Sequence, residues 1–437
     1  MPVSNRPLFS PPVLAAVMVL CTLAIWLLNL TAPSSKLPTP NLETWHTTSD
    51  IPVTWVKHAN WETGDKLEIR LVFRSEEHDA NLVQTTLAML MSNSLPLSTA
   101  SINQRLSPLA AKVSSYYDHE SQVIGLTLSN QSQYLNPTLA LVTNWLKQPD
   151  FKLRTFEQWQ RQQQNAQASK HALVNTLFDT QHSMEQVISL KDIQDYYYQL
   201  QKSATHIYIV GHLSDQVRPS VEEALNQISL GYQLEDHKKA TLDEIKASHV
   251  TQLNKQASSQ LWQSRSAIAL TPMTSVKEWI SLQIWGADLV STLNSQADID
   301  FVQLGLTLSA LQPWAGWNIQ YAEQLIIDSP QSAEEQTGAR FSANSFIHRD
   351  NIPSINDRAR FADLFSRFKD QLGQQAQSST WWAYMATQVV HEQGSVPLED
   401  FIESYKEAID TFTIDDYQNI IEPLIKADSY QEIQTYQ

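Results

Sequence analysis

The chain has one cysteine in 437 residues, and that one, Cys21, lies inside an apolar run near the N-terminus. Beyond that run no disulfide can form and no thiol is available as nucleophile or metal ligand. Glycine is scarce as well: there are ten, and no two stand within ten residues of each other. Neither a phosphate-binding G-x-x-x-x-G-K loop, nor a G-x-G-x-x-G turn, nor a G-x-S-x-G nucleophile elbow can therefore be written. Positive charge is thin, with 30 Lys and Arg against 46 Asp and Glu and a net charge of -16. No basic cluster interleaved with aromatics breaks that balance, so the electrostatic footprint of nucleic-acid binding is missing.

What the N-terminus does have is hydrophobicity without charge. No charged residue occurs between Arg6 and Lys36, and Val13 to Thr31 reads VLAAVMVLCTLAIWLLNLT, about the length of a bilayer-crossing helix. A cleaved signal peptide would have a shorter apolar stretch and small residues at its cleavage site, whereas Pro33 follows Leu30-Thr31-Ala32 here. Cys21 follows Leu20 where a lipoprotein would carry a small residue. The expectation is an uncleaved transmembrane anchor at 13–31 after a short cytoplasmic tail at 1–12. Arg6 on the short side and the acidic bulk on the other favour an N-in, C-out orientation. That places the chain in a bacterial inner membrane as a single-pass protein with its bulk in the periplasm.

Residues 32–48 are rich in Pro, Ser and Thr and read as an extended linker. Lys66 to Phe73 alternates apolar and polar residues as a strand does. A helical stretch follows from Asp79 to Ser92 and another from Ser98 to Leu109, then strands at Lys112–Tyr117 and Gln122–Leu128. Helices are expected at Leu135–Leu146 and Leu153–Leu177, and a closing strand at His206–Gly211. Strand, helices, two strands, long helices and a final strand make an α+β unit built on an antiparallel sheet. The expected first domain is 49–232 and a polar linker spans 233–250. The second domain, 251–437, repeats the plan loosely: strand at Leu261–Leu270, helix from Val276 to Leu293, strand at Phe301–Leu308, helices at the C-terminus.

Asn81 to Ser94, NLVQTTLAMLMSNS, resembles the signature of the M16 (insulinase or pitrilysin-type) zinc metallopeptidases, G-L-A-H-F-L-E-H-M-L-F-x-G-T, without a gap. Leu82, Met89 and Leu90 match apolar positions, and Asn93-Ser94 stand where Gly-Thr is usual. In the family, H-x-x-E-H puts two zinc-binding histidines on one helix face with the glutamate as general base beside the metal-bound water. Here Gln84 stands at the first histidine, Leu87 at the glutamate and Ala88 at the second histidine. The family's third ligand, a glutamate further along, would fall at 162–165, which reads QQQN. A second-half element, R-x-x-x-G-L-x-Y, is matched by Phe301 to Leu308, FVQLGLTL, which keeps Gly305-Leu306 but has Phe301 for the arginine and Leu308 for the tyrosine. His206 to Ser214 resembles the strand and turn that close the first M16 half, and the string WWAYM at 381–385 a C-terminal helix of bacterial members.

Other strings have plainer readings. Arg74 to His78, RSEEH, lacks the first histidine of an inverted zinc motif, and its glutamates suit a helix N-terminus. Asp118-His119-Glu120 reads as a hairpin turn. His391-Glu392-Gln393-Gly394 begins like H-E-x-x-H, but Ser395 occupies the second histidine's place. Trp159 to Lys170 is a Gln-rich helical face, and Trp314 and Trp317 are candidates for lining an interior surface.

The resemblance implies two M16-like repeats behind one N-terminal transmembrane helix, with no catalytic residue, no metal and no cofactor. The function it implies is that of a non-catalytic M16 homologue, a partner or regulatory subunit of an active M16 zinc peptidase. The alternative is a stand-alone periplasmic peptide-binding adaptor or holdase that does not cut.

Overall fold

Lys66–Arg74 alternates as read, and this decides where it lies. Leu67, Ile69, Leu71 and Phe73 are each no more than 1% exposed and belong to one core cluster, a burial that stabilises by roughly 6–12 kcal/mol taken side chain by side chain. The strand, β3, is central in a six-stranded sheet ordered β1-β2-β6-β3-β5-β4. Its companions are β1 (Asn41–His46), β2 (Pro52–Lys57), β4 (Lys112–Tyr117), β5 (Ser121–Ser129) and β6 (Ala204–Gly211). The apolar face is covered by helices that include α1 (Ala80–Asn93), α3 (Ser132–Lys147), α5 (Leu190–Leu200) and α6 (Arg218–Ser229), with the short α2 (Ile102–Leu106) beside α1 and α4 (Leu153–Asn165) between α3 and α5. Several of these starts are capped by their own side chains; Ser189, for instance, makes a reciprocal capping box with Asp192 at the head of α5.

The computed structural model describes residues 37–62, 64, 66–74, 80–93, 100–165, 177, 188–234, 244–256, 260–322, 355–391 and 396–437. The chain divides into two units. Of Met1–Leu37 only Leu37 is described, and Pro38–Gln437 is one compact unit that holds two sheets.

The second sheet is ordered β7-β11-β8-β10-β9. Its strands are β7 (His249–Leu253), β8 (Leu261–Leu270), β9 (Ile299–Thr307), β10 (Trp314–Tyr321) and β11 (Ile425–Tyr436). Helix α7 (Val276–Asn294), started by a Ser275–Glu278 capping box, lies against it with Trp285 edge-on to Trp317 at 6.3 Å. The packing is close at Gly286, where a Cβ would come within 2.7 Å of a Leu304 methyl and push it aside. Trp314 is half-buried while Trp317 is 1% exposed, so Trp317 is core. Helices α8 (Arg358–Gln375), α9 (Ser379–Tyr384), α10 (Leu398–Thr411) and α11 (Ile414–Leu424) complete the described part; α9 runs on into a single π-turn, Met385–Val389.

Among the described residues, the first sheet's other face is covered by no helix from its own half. Glu68, Arg70 and Arg74 alternate onto it, and α9 covers it. Glu68 is fully buried. Its Oε2 pairs with Arg70 Nη2 at 2.8 Å and accepts from Thr127 Oγ1 at 2.8 Å, while its Oε1 accepts from Thr380 Oγ1 on α9 at 2.7 Å. Nearby, Trp61 Nε1 donates to the Gln377 carbonyl at 2.8 Å.

Two expectations change. Neither sheet is purely antiparallel, because β2 pairs with β6 and β7 with β11 in parallel. In each sheet a strand from one end of the sequence is inserted beside a strand reached only after several helices, and such a crossover allows the parallel direction. The inner-membrane placement is also corrected: among the described residues no helix is long and apolar enough to cross a membrane, and the run 13–31 lies outside them.

Replacing Glu68 by Ala strands the Arg70 guanidinium and two hydroxyls. It should lower unfolding stability by about 3–5 kcal/mol, against about 1–3 kcal/mol for Thr380→Val, which leaves Glu68 Oε1 without its donor. In urea titrations the double variant should cost less than the sum, since both remove one contact.

Candidate functional site

Helix α1 presents two apolar stripes. Met89 and Leu90 enter the main core. Val83 and Leu87 enter a separate small cluster with Tyr196 of α5, and the half-buried Leu82 and Tyr117 pack on it. Leu87 is 4% exposed, Ala88 half-buried and Gln84 exposed. Thr85 and Thr86 lie one turn before Met89 and Leu90 on the same stripe: Thr86 Oγ1 donates within the helix to the Leu82 carbonyl at 2.8 Å, and Thr85 Oγ1 ties it to α4 by accepting from Trp159 Nε1 at 3.2 Å. Gln122 Nε2 donates to the Tyr196 hydroxyl behind Leu87. Residues 162–165 lie on α4, and their side chains are outside the described part.

The two second-half positions part company. Phe301 is 50% exposed near the start of β9, whereas Leu308, just past its end, is 1% exposed. Seven residues of strand separate them, roughly 23 Å. The second half meets the first near the Leu308 end. On β4, Tyr117 packs on the Leu87 cluster and its neighbour Tyr116 lies by Thr307, while within the second half His391 Nε2 donates to the Leu308 carbonyl at 2.7 Å. β4 thus links the middle of α1 to the end of β9 by a path that crosses the strand from one face to the other.

Beside this path a cavity of about 170 Å³ opens where the first sheet, the β9–β10 loop and the π-turn converge. Arg74 from β3, Glu120 from the β4–β5 turn, His206 from β6, Thr387 from the π-turn and His391 just after it contribute its polar wall. The turn Asp118-His119-Glu120 is a hairpin turn as read. Glu120 bonds across to the loop: it accepts from Leu311 N at 3.0 Å and Gln312 N at 2.6 Å. Burial, and next the Asp118 charge, push its carboxyl up to about 7. His206, stacked on Tyr208 at 4.3 Å, shares a 2.8 Å hydrogen bond with Thr54 Oγ1, and burial pushes its imidazole down to about 4. Buried groups with displaced pKa values in a cleft mark a candidate site.

The chemistry available there is limited. Among the described residues no three His, Cys, Asp or Glu side chains stand together as a metal ion needs. Arg74 is the described end of the 74–78 string and His391 that of 391–394; residues 75–78 and 392–394 lie outside the described part. That Glu120 and His206 line one cavity was not legible beforehand. One comes from the β4–β5 turn and the other from β6, and only the fold brings them together.

No family model matches this sequence, and no curated protein does. Solved structures do resemble its fold. The peptidase M16 inactive domain of Pseudomonas fluorescens superposes with a TM-score of 0.64 at 15% identity, covering 90% of this chain and 97% of that one. A protease of Helicobacter pylori gives 0.64 at 9% identity over 91% and 99%. A chain in complex III2 of Candida albicans gives 0.58 at 12% over 90% and 96%. The chain therefore has the M16 fold, mixed α/β with two sheets.

His206 carries a pH signature. Its folded pKa lies below the ordinary 6.5, near 4, so the stability it contributes is present above 6.5 and lost as pH falls toward 4. Glu120, raised to about 7, acts in the opposite sense over the same window, so the check is the difference: in chemical denaturation from pH 7 to 4, His206→Asn should lose less stability, or gain more, than the wild type.

Proposed function

We propose that this chain is a non-catalytic M16 homologue that acts as the partner or regulatory subunit of an active M16 zinc peptidase. The observation that carries the first half of this reading is Leu87. Where the M16 signature has its general base, this chain has an apolar side chain packed against Val83, Tyr196 and Tyr117, in surroundings that would hold an ionised carboxylate only at great cost. Gln84 and Ala88 take the histidine positions and cannot complete a zinc ligand set. In the second half, Phe301 and Leu308 take the places of the substrate-holding Arg and Tyr.

The partner role draws on the fold's company. One similar structure is described as an M16 inactive domain and another is a chain of a larger complex. A scaffold kept whole while its chemistry is vacated retains surfaces, and surfaces serve association. A second reading, peptide binding without cleavage, draws on β9: among the described strands it is an edge strand, of the kind that can pair with an extended peptide, and Phe301 is exposed on it. On either reading the proposal keeps two domains, 49–232 and 251–437.

Metal analysis of the dialysed full chain should find far less than one zinc per molecule, and Leu87→Ala should destabilise it by about 2–4 kcal/mol without altering any peptidase assay. Affinity purification of the tagged chain at native expression should recover a peptidase with an intact H-x-x-E-H helix. Recovery of this chain alone, together with measurable peptide binding, would favour the second reading. Stoichiometric zinc would overturn both.

A further inference from the structure

Most polar groups on the wall of the cavity between the first sheet, the β9–β10 loop and the π-turn are already spent on the protein itself. Thr205 Oγ1 donates to the Val72 carbonyl at 3.2 Å and Thr387 Oγ1 to the Ala383 carbonyl at 2.9 Å. His391 gives its Nε2 hydrogen to Leu308, and His206 shares its Nε2 with Thr54. Both Glu120 oxygens accept from Leu311 N, at 3.1 and 3.0 Å, and one accepts from Gln312 N as well. Arg74 differs. It is half-buried at the end of β3, it lines the cavity, and among the described residues it makes neither a hydrogen bond nor an ion pair. Glu120 lies near enough to feel its charge but forms no ion pair with it.

We propose that this cavity binds a small carboxylate carrying a short branched apolar group, with Arg74 as its anchor. A guanidinium presents a planar fork of donors that meets a carboxylate in two parallel hydrogen bonds, and a partly buried charge is costly to leave without a partner. The remaining wall sets the other end of the ligand: Val72, Leu311, Ala386 and Val390 offer it apolar surface. The volume of about 170 Å³ compares with the roughly 150 Å³ that takes up a benzene ring, so the attached group is of the size of a leucine or valine side chain. Charge narrows the class further. Glu120, with Asp118 behind it at 2.9 Å from its backbone N–H, puts negative charge close by. Arg74 balances one negative charge on a ligand, whereas the second charge of a phosphate meets repulsion.

This site goes beyond the partner reading, since it uses no residue of the α1 signature and needs no second subunit. Its wall draws on both halves of the chain: Val72 and Arg74 come from β3, Leu311 and Val390 from the β9–β10 loop and the end of the π-turn. A bound carboxylate therefore touches both halves and stabilises the folded chain by mass action. The same chemistry is found in a free acid and at the C-terminus of a peptide, and the two are told apart by affinity.

Ligand-observed NMR titration of the full chain at neutral pH and fixed salt tests this, with isovalerate as the probe and isovaleramide and inorganic phosphate as controls. Isovalerate should bind with a Kd of about 1 mM, an ordinary affinity for so few atoms, and both controls at least about tenfold more weakly. Arg74→Gln should weaken isovalerate about ten- to a hundredfold, while Arg367→Gln, exposed on α8 and paired there with Asp363, should leave it unchanged. A short peptide ending in leucine is titrated beside its C-terminal amide. Binding of the peptide acid about tenfold tighter than isovalerate assigns the site to peptide C-termini, and equal or weaker binding assigns it to free acids. Equal affinity for isovalerate and its amide, tighter binding of phosphate, unchanged affinity in Arg74→Gln, or no binding of either acid at about 10 mM overturns the proposal. Should Arg74→Gln fail to fold, Ala310→Phe, which fills the cavity from the loop, decides in its place: isovalerate binding should be lost, and undiminished binding overturns the proposal too.

Discussion

A carboxylate on a sheet face that no water reaches must find all its partners in protein, and Glu68 finds one of them in the other half of the chain. Arg70 and Thr127 are neighbours on the same sheet, but the Thr380 hydroxyl comes from α9. Leaving Glu68 without that bond would cost more than the bond itself contributes, because a buried polar group pays its full desolvation when unmatched. The first sheet's uncovered face thus demands α9, and α9 carries the π-turn and His391 behind it. Where α9 sits decides where the cavity wall sits.

From that constraint the rest of the junction follows. With α9 laid across β3 and β6, the end of β9 is brought to the end of β4, so Tyr116 meets Thr307 and Glu120 meets Leu311 and Gln312. Polar groups carry much of this contact. Apolar faces would hold the two sheets together without regard to register, whereas a carboxylate on two backbone N–H groups holds them in one register. The core clusters give strength to each sheet, and the polar junction fixes how their ends meet.

The legible parts of the fold were those with one dominant period. Lys66–Arg74 alternates strictly and Val276–Asn294 has a capping box with an apolar face, and both lie where the pattern puts them. What escaped was polar strand. Ile425–Tyr436, IKADSYQEIQTY, carries few apolar residues and reads as the tail of a helical region, yet it runs inside the second sheet between β7 and β8, where Glu432 is satisfied by Ser264 Oγ, Tyr430 Oη and Gln434 Nε2. Only a tertiary network can bury such a strand, and periodicity has no access to it. β1 escaped for a related reason: Asn41–His46 follows prolines and is half-exposed, and it becomes a strand through β2 and through Arg218, which stacks at 5.3 Å from Trp45 and 5.4 Å from Trp55 while pairing with Glu43. In the site, the α1 positions were legible because four-residue spacing on a helix is local. The Glu120 contact was not, since Glu120 and Leu311 are 191 residues apart.

The same contrast bears on what Leu87 means. A general base must be solvated or metal-adjacent to work, so a helix that bears one keeps that face open. Leu87 does the reverse. Tyr196 and Tyr117 close over it, and Gln122 fixes the Tyr196 hydroxyl from behind, so a carboxylate placed back at this position would meet aromatic rings and no water. Restoring one residue would therefore not restore the chemistry, because the tyrosine wall would have to move as well. On the proposed reading, substitution at the signature and closure around it are one arrangement; the packing itself contributes to holding α1 against α5.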